Sequence, residues 1–476
     1  MKIKNSISAV SLAILMLGLP HTAHAQFGGL FSSILNNVNS IVDANAIERE
    51  KQPVVKAIDP EIARLGGDFS ANKPQRLRPF FMALYVEGER NAVLNLVQLG
   101  LAAMESGQYE VAKKAFDLAI ARIDAIYADD PNAQKAKSVW NEEKVKDWKG
   151  EPYERAMVYY YRGLLYLKDG EYDNAAASFK AADYQDTQAE KETFQGDFGI
   201  MAFMAAWAQS CRGNMTAARD LQKQAVSKDP SVAALSLDTK FMVLIDSGVG
   251  PTKVGKGRYK EVLTFDAAPN SEDSLVKVDF GARAAASQST TVPVGDIQFQ
   301  ATTRGGRAID GILNGKAEWK GSLTGFGDAA LAAGVVFADV GSQVGSLKME
   351  QMGMFGSLFG LAAKITANNM TPAADTRYWG SLPNKIYAAG LKVYPMDANL
   401  FVEFSGAGGT GRKPLEFVAK NGDCSIAWAR TRSSLTPAAG GTAMIAEPPI
   451  PSEDERVHQN AALRQLVVQN FAGAGQ

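Results

Sequence analysis

A set of glycine, alanine and aromatic residues recurs three times between residues 93 and 230, and it limits the possible folds more than any other feature. The first two copies have the same internal spacing, whereas the third keeps fewer positions. Their members are Gly100, Gly107, Tyr109, Ala112, Phe116 and Ala119, then Gly163, Gly170, Tyr172, Ala175, Phe179 and Ala182, then Gly213, Ala218, Ala225 and Pro230. A repeat of this kind predicts three helix-turn-helix units stacked side by side.

The spacing of the small and aromatic positions resembles the tetratricopeptide repeat (TPR). In that repeat, two small residues allow the paired helices to approach closely, and the matching pairs here are Gly100 with Ala112 and Gly163 with Ala175. Bulky residues fill the space around them. The resemblance implies an α-solenoid that offers a binding surface, without identifying what is bound.

The TPR resemblance also places the inner face of the solenoid on the first helix of each unit. This face is apolar and aromatic, and its residues are Leu94, Val97, Leu101, Met157, Tyr160, Leu164, Ile200, Phe203 and Trp207. It suits an amphipathic helix, and it lacks the Lys, Arg and Asn pattern by which some TPR proteins hold a C-terminal carboxylate. We interpret it as a partner-binding groove. The alternative is that the chain fills the groove itself, with residues 27–42 or with the later β region.

The start of the chain predicts export. Lys2 and Lys4 precede an apolar stretch at residues 7–19, and the small-residue sequence Ala23-His24-Ala25 follows, so we expect a signal peptide cleaved after Ala25. No Cys follows the cut to carry a lipid, and no later stretch has the roughly 18 uninterrupted apolar residues of a transmembrane span. The expected location of the mature protein is the periplasm.

The remaining pattern divides the chain into a helical part and a β part, which predicts an α+β fold with several domains. The expected segments are an amphipathic helix (27–45), a charged connector (46–79), a TPR-like helical domain (80–246), a mostly antiparallel β domain (247–434) with a helical insertion (323–370), and a Pro- and Ala-rich linker with a C-terminal helix (435–476). That last helix either docks on the body of the protein or recruits a partner.

The residues needed for common catalytic sites are scarce. The three histidines are His21, His24 and His458, which leaves no pattern for a Ser-His-Asp hydrolase or a histidine-rich zinc site. Carboxylates remain available, but nothing in the sequence pairs the candidates Asp296, Asp310 and Asp328. We therefore expect no enzyme activity, no cofactor and no metal.

Charge and cysteine content set further limits. The chain has 50 basic and 51 acidic residues, so it offers no basic field for nucleic acid. The glycine-rich stretch 406–413 resembles a phosphate loop, but Arg412 stands where such a loop needs Lys, and we expect a hairpin connection there. Cys211 and Cys424 either form a disulfide, as an oxidising compartment allows, or are buried separately in two domains.

Three further stretches occur in order along the chain. They are Lys149-Gly150-Glu151-Pro152-Tyr153-Glu154-Arg155, Gly248-x-x-Pro251-x-Lys253, and Asp375-Thr376-Arg377-Tyr378-Trp379-Gly380-Ser381-Leu382-Pro383. With the repeats, this series resembles a little-characterised family of exported TPR proteins and lipoproteins of Gram-negative bacteria, in which a helical repeat domain precedes a β domain. The resemblance implies a role in the cell envelope and carries no established catalytic residues.

These observations predict a non-enzymatic periplasmic adaptor that binds envelope proteins or an amphipathic helix and supports the assembly of a cell-surface or cell-wall machine. Association with the outer membrane or the cell wall would fit that role. The alternative is a protein whose β domain binds a glycan or peptidoglycan. Asp375, Arg377, Trp379 and Pro383 are either structural residues or part of a ligand site.

Overall fold

A computed structural model of the protein describes residues 59–127, 147–148, 150–186, 197–256, 262–280, 288–303, 375–394, 400–406, 408–435 and 453–474. These residues form an α+β fold with ten α-helices and eleven strands. All of them belong to one unit, made of residues 55–314 and 372–476. The predicted signal peptide, the helix at 27–45, the insertion at 323–370, the Pro- and Ala-rich stretch up to residue 451, Asp310 and Asp328 lie outside the described residues.

Two short helices lead into three helical hairpins. The helices are α1 (Pro60–Ala71), α2 (Arg78–Val86), α3 (Ala92–Glu105), α4 (Tyr109–Tyr127), α5 (Pro152–Asp169), α6 (Tyr172–Asp186), α7 (Gly199–Cys211), α8 (Met215–Lys228), α9 (Ile297–Thr303) and α10 (Glu453–Phe471). The hairpins are α3 with α4, α5 with α6, and α7 with α8. None of the helices in this part of the chain combines the length and apolar composition needed to cross a membrane.

The three hairpins turn in the same way. In each, a glycine with positive φ follows the first helix, and the next residue donates its backbone N–H to a carbonyl five residues earlier. The glycines are Gly107 (φ 76°), Gly170 (φ 79°) and Gly213 (φ 90°), and the donor–acceptor pairs are Gln108–Ala103, Glu171–Tyr166 and Asn214–Gln209. Because other residues are strained at this φ, the repeated glycines account for the repeated turn.

Small residues also let the paired helices approach closely. A methyl group added at Gly100 would lie 2.7 Å from the Phe116 ring, and one added at Gly163 would lie 2.7 Å from the Phe179 ring. Real side chains do not approach this closely, so each glycine is required by the aromatic residue on the second helix of its own hairpin.

Gly163→Ala is therefore expected to lower the free energy of unfolding by about 1–3 kcal/mol, the usual loss in an overpacked core. Gly67→Ala in α1 is the matched control, because nothing lies within 4 Å of its added methyl group and alanine favours the helix by about 1 kcal/mol. Urea unfolding should move the midpoints of the two variants in opposite directions. A wild-type midpoint for Gly163→Ala would contradict the close approach of α5 and α6.

The strands form three sheets. Their bounds are β1 (Phe241–Ser247), β2 (Thr252–Lys256), β3 (Val262–Asp266), β4 (Asp273–Asp279), β5 (Gln288–Thr290), β6 (Val292–Asp296), β7 (Lys385–Leu391), β8 (Phe401–Gly406), β9 (Gly409–Pro414), β10 (Phe417–Asn421) and β11 (Cys424–Arg430). The strand orders are β10-β11-β1-β7-β6, β5-β4-β8-β9 and β2-β3. β1 and β11 are parallel, and the other described pairs are antiparallel.

The five-stranded sheet lies between the helices and the four-stranded sheet. Every residue of β1 is buried, so the strand has apolar neighbours on both faces. Met242 and Leu244 belong to the same hydrophobic core as the helical hairpins. Phe241, Val243 and Ile245 point the other way and share a second core with β4 and β8. The helices and strands are thus joined through a continuous core.

Two segments differ from the sequence prediction. Residues 241–247, assigned above to the end of the helical domain and its junction, form β1, because a short apolar run fits a strand buried on both faces as well as a helix. The connector at 46–79 contains α1, in which Pro60 stands at the start of the helix and the Asp59 side chain accepts hydrogen bonds from the first turn. Proline is tolerated at that position because its missing N–H would have no partner there.

Candidate functional site

The predicted partner-binding groove lies in the core. Its residues are fully or almost fully buried, and they are Leu94, Val97, Leu101, Met157, Tyr160, Leu164, Ile200, Phe203 and Trp207. They share one core with Met242 and Trp428 of the five-stranded sheet, and the Trp207 indole donates a hydrogen bond to the Thr239 carbonyl at 2.9 Å. A partner cannot reach these side chains in this structure. The structure has strands of the β region against these helices, which is one of the two possibilities for closure by the chain itself. The other, residues 27–42, lies outside the described residues.

A disulfide joins the third hairpin to the sheet. It links Cys211, the last residue of α7, with Cys424, the first residue of β11. Of the two alternatives that the sequence left open, the structure has the disulfide. It fixes the C-terminal end of α7 to a strand that pairs with the central strand β1.

The three ordered sequence stretches meet at one place. Their charged and aromatic residues form a buried polar cluster, here called the clamp, whose members are Glu151, Glu154, Lys253, Asp375, Arg377 and Trp379. The Lys253 ammonium lies 2.9 Å from Glu151 Oε1 and 3.6 Å from Glu154 Oε2. It also donates a hydrogen bond to the Arg377 carbonyl at 3.0 Å. The clamp therefore brings together α5, β2 and residues 375–379.

Arg377 is the centre of the clamp. Its guanidinium contacts both carboxylate oxygens of Asp375, at 2.9 and 2.7 Å, and donates to Asn91 Oδ1 at 2.8 Å and to the Arg90 carbonyl at 3.1 Å. The Trp148 indole donates to the Arg377 carbonyl at 3.1 Å. Burial pushes the pKa of Asp375 upward, but the charge and hydrogen bonds of Arg377 outweigh it and hold that pKa below its ordinary value. Asp375 and Arg377 are thus a buried ion pair.

Glu154 connects the clamp to the beginning of α5. Its carboxylate accepts hydrogen bonds from the backbone N–H groups of Glu151 and Trp379, each at 2.7 Å. With the Glu151 side chain it forms a capping box, a reciprocal arrangement that satisfies free N–H groups at a helix start. Burial raises the pKa of Glu154, and Lys253 opposes that rise. The stretch Glu151–Glu154 therefore has two roles. It begins α5, and it binds the backbone of residue 379.

Pro383, the last predicted site residue, is buried beside the turn that separates β1 from β2. The Gly250 N–H donates to the Leu382 carbonyl at 2.8 Å. A methyl group at Gly250 would lie 2.9 Å from that carbonyl oxygen, and Gly248 has φ of 74°. Gly250 is required because residues 382–383 run directly against it, and Gly248 is required by its positive φ and by the Ser271 carbonyl, whose oxygen an added methyl group would overlap.

A second buried network was not visible in the sequence. Asp246 in β1 accepts hydrogen bonds from the Tyr161 hydroxyl at 2.6 Å and from Arg430 at 2.9 Å, and Arg430 also donates to the Ser381 carbonyl. These residues come from α5, β1, β11 and the segment after the clamp. Their long separation in the chain leaves no local pattern, so only the fold reveals the network.

Other candidates from the sequence have structural roles. Asp296 lines a surface pocket of about 300 Å³ with Asp197 and Asp229, but its Oδ1 accepts a hydrogen bond from the Phe299 N–H at the start of α9. Within the stretch 406–413, β8 ends at Gly406 and pairs with β9, which begins at Gly409, so the two strands form the predicted hairpin. Among the described residues, no group of three His, Cys, Asp or Glu side chains could hold a metal ion.

The contacts of the clamp hold elements of secondary structure together. Its members are buried, and they contact one another or the backbone of α5, β2 and the helices before them. A small ligand would have to displace these contacts to reach Arg377 or Trp379.

Comparison of the chain with protein-family models, with curated proteins and with solved structures finds no match.

Glu416 marks another contact between helices and sheet, because its carbonyl accepts a hydrogen bond from the Tyr109 hydroxyl of α4 at 3.3 Å. Its Oε2 accepts a hydrogen bond from the Arg430 N–H at 3.0 Å, and the Lys413 ammonium lies 3.6 Å from its Oε1. Burial raises the pKa of Glu416 to about 7, although the charge of Lys413 opposes the rise. The folded chain therefore holds a proton on Glu416 under conditions where an unfolded glutamate has released it.

This proton makes stability depend on pH. The contribution of Glu416 is fully present below pH 4.5, the ordinary pKa of a glutamate, and is lost as pH rises through about 7. In Glu416→Gln the side chain stays neutral at every pH. The unfolding free energy of the variant minus that of the wild type should therefore rise by roughly 3 kcal/mol between pH 4.5 and 8. Urea unfolding across that range measures it, and a difference that does not change with pH would contradict the raised pKa.

Proposed function

We propose that the protein is a non-enzymatic adaptor of the bacterial cell envelope, in which a TPR-like solenoid is followed by a mostly antiparallel β domain with a helical insertion. The observation that supports this most directly is the set of three consecutive helical hairpins with the same glycine turn. Stacked hairpins of this type form extended binding surfaces in repeat proteins. The adaptor would belong to the exported TPR family that the sequence resembles.

The partner of this adaptor would bind outside the inner face of the hairpins, because the chain itself covers that face. Among the described residues, exposed side chains remain on the outer helices of the hairpins and in the β region. Tyr184 on α6 is 63% exposed and Val393 after β7 is 72% exposed. These two residues give one probe position in the repeats and one in the β region.

Location in the periplasm is part of the proposal. The Cys211–Cys424 disulfide supports it, since such bonds persist in oxidising compartments. Protein isolated from cells under acid quench should carry no free thiol that an alkylating reagent can label, and its first residue should be Gln26. A free thiol pair, or an uncleaved N-terminus in the isolated protein, would argue against export.

The adaptor role is tested by photo-crosslinking in intact cells. A crosslinking amino acid replaces Tyr184 in one chain and Val393 in another, and crosslinked species are identified by mass spectrometry. We expect a reproducible envelope protein at one position or both. No protein at either position would overturn the adaptor role. Sedimentation of the purified chain with protein-free peptidoglycan would instead support the alternative, a glycan-binding β domain.

A further inference from the structure

The C-terminal helix α10 docks on the N-terminal end of the helical region. Leu463, Val467 and Phe471 lie on one face at steps of four and are buried. The Phe471 ring meets the Phe81 ring of α2 edge to face, with 5.4 Å between centroids. The sequence left open whether this helix docks or recruits, and the structure shows it docked.

Two lysines hold the C-terminal end of α10. Lys73 donates a hydrogen bond to the Phe471 carbonyl, and Lys114 of α4 donates to the Asn470 carbonyl at 3.2 Å. The last carbonyls of a helix have no partner within the helix and carry partial negative charge. Paired lysines at this place therefore recognise the end of a helix, whatever its side chains are.

Further contacts set the direction of α10 on its site. The Glu89 N–H donates to the Asn460 side chain at 2.8 Å, and Arg464 donates to the Tyr85 carbonyl at 3.3 Å. We define the docking site by the residues that α10 touches, namely Lys73, Phe81, Tyr85, Glu89 and Lys114. Beneath α10, the Lys73 ammonium lies 4.7 Å from the centroid of the Phe69 ring and 5.6 Å from that of Phe81.

The attachment of α10 is slight compared with that of α3. α3 is buried at every residue from Ala92 to Met104. On α10, Val457 and Val468 are 58% and 42% exposed. The chain reaches α10 through residues 436–452, a Pro-, Ala- and Gly-rich stretch that is long enough to span on the order of 50 Å when extended. A helix tethered in this way competes with a free helix for the same surface, and its own effective concentration there is in the millimolar range.

We propose that the docking site is an exchange site for amphipathic helices, in which α10 is the occupant within the chain and a helix of a partner protein replaces it. The partner helix carries apolar side chains at i, i+4 and i+8, as α10 does, and ends beside Lys73 and Lys114. Burial of such an apolar face in a groove is a common mode of helix recognition. This inference rests on the proposed adaptor function and names the class of its partner.

Hydrogen exchange on the unaltered chain tests whether α10 leaves its site. We expect the amides of residues 457–471 to exchange at least a hundredfold faster than those of α3, because α10 opens without the rest of the fold. Exchange of α10 as slow as that of α3 would show that it leaves only on global unfolding. That result would overturn the exchange site.

A peptide competition tests whether the vacated site binds a helix. The probe is a fluorescent peptide of residues 453–474, titrated against the full chain, against Leu463→Asp with Val467→Asp, and against Val457→Asp with Val468→Asp as the matched outer-face control. We expect the inner-face variant to bind at least tenfold more tightly than the other two. Adding Lys114→Glu, an exposed residue, should weaken that binding several-fold.

Equal peptide affinity for the three chains, or loss of cooperative folding in the inner-face variant, would overturn the exchange site and make α10 an integral part of the fold. The adaptor function is judged separately. If the photo-crosslinked partner is recovered unchanged with the inner-face variant, the adaptor function stands and its partner binds elsewhere. If no partner is recovered with any chain while the peptide still binds the variant, the adaptor function fails, and the docking site is then shown only to bind a free helix.

Discussion

Replacing both cysteines, Cys211→Ala with Cys424→Ala, is expected to lower the free energy of unfolding by roughly 5 kcal/mol. The disulfide closes a loop across 213 residues of sequence, and in the chain-entropy account a loop of this length restricts the unfolded chain by about that amount. Guanidinium unfolding of the oxidised wild type and the double variant measures the difference.

Reduction provides the control for this prediction. With dithiothreitol present, the wild type should unfold at nearly the same denaturant concentration as the double variant, since neither chain then has the crosslink. The variant itself should not respond to the reductant. An oxidised wild type that unfolds together with the double variant would show that the crosslink adds nothing to stability.

Arg377→Met is expected to cost about 3–5 kcal/mol, the usual effect of removing one partner from a buried ion pair. The change leaves Asp375 buried without its guanidinium and removes the hydrogen bonds to Asn91 and to the Arg90 carbonyl. The matched control is Arg412→Met, whose side chain is 50% exposed and pairs with Asp279 and Glu403. Exposed pairs of that kind contribute about 0–1 kcal/mol.

A second substitution separates charge from packing at the clamp. Arg377→Met combined with Asp375→Asn should be more stable than Arg377→Met alone, because the unpaired carboxylate is gone. Thermal unfolding of the three variants and the wild type gives the comparison. If Arg377→Met and Arg412→Met have the same small effect, the clamp does not stabilise the junction of α5 and β2.

The helical hairpins could be predicted because their signals are local. Gly107 and Gly170 each allow a left-handed turn, and Gly100 and Gly163 each face an aromatic residue of the same hairpin. A pattern repeated in the sequence then corresponds to a contact repeated in space. The same reasoning cannot tell what covers the outer or inner face of a stack, because that depends on residues elsewhere in the chain.

The clamp could be found only in part. All three stretches that form the clamp are distinctive in the sequence, but the contact of residues 377–379 with Glu154 and Lys253 joins positions far apart in the chain. The disulfide was undecided for the same reason. The open groove was predicted from one face of the helices alone, without the strands that lie against it. In each case the missing information was a long-range contact, which spacing along the chain does not contain.

The pairing of β1 affects when the parts of the molecule can fold as the chain is synthesised. β1 follows the hairpins directly, but both of its neighbours, β7 and β11, come much later in the chain. A nascent chain that ends after Leu244 has the helical hairpins but lacks β7 and β11, the two strands that pair with β1. Contacts this distant in sequence slow folding. For an exported protein, as proposed above, such a delay keeps the chain unfolded while it is threaded through a translocation channel.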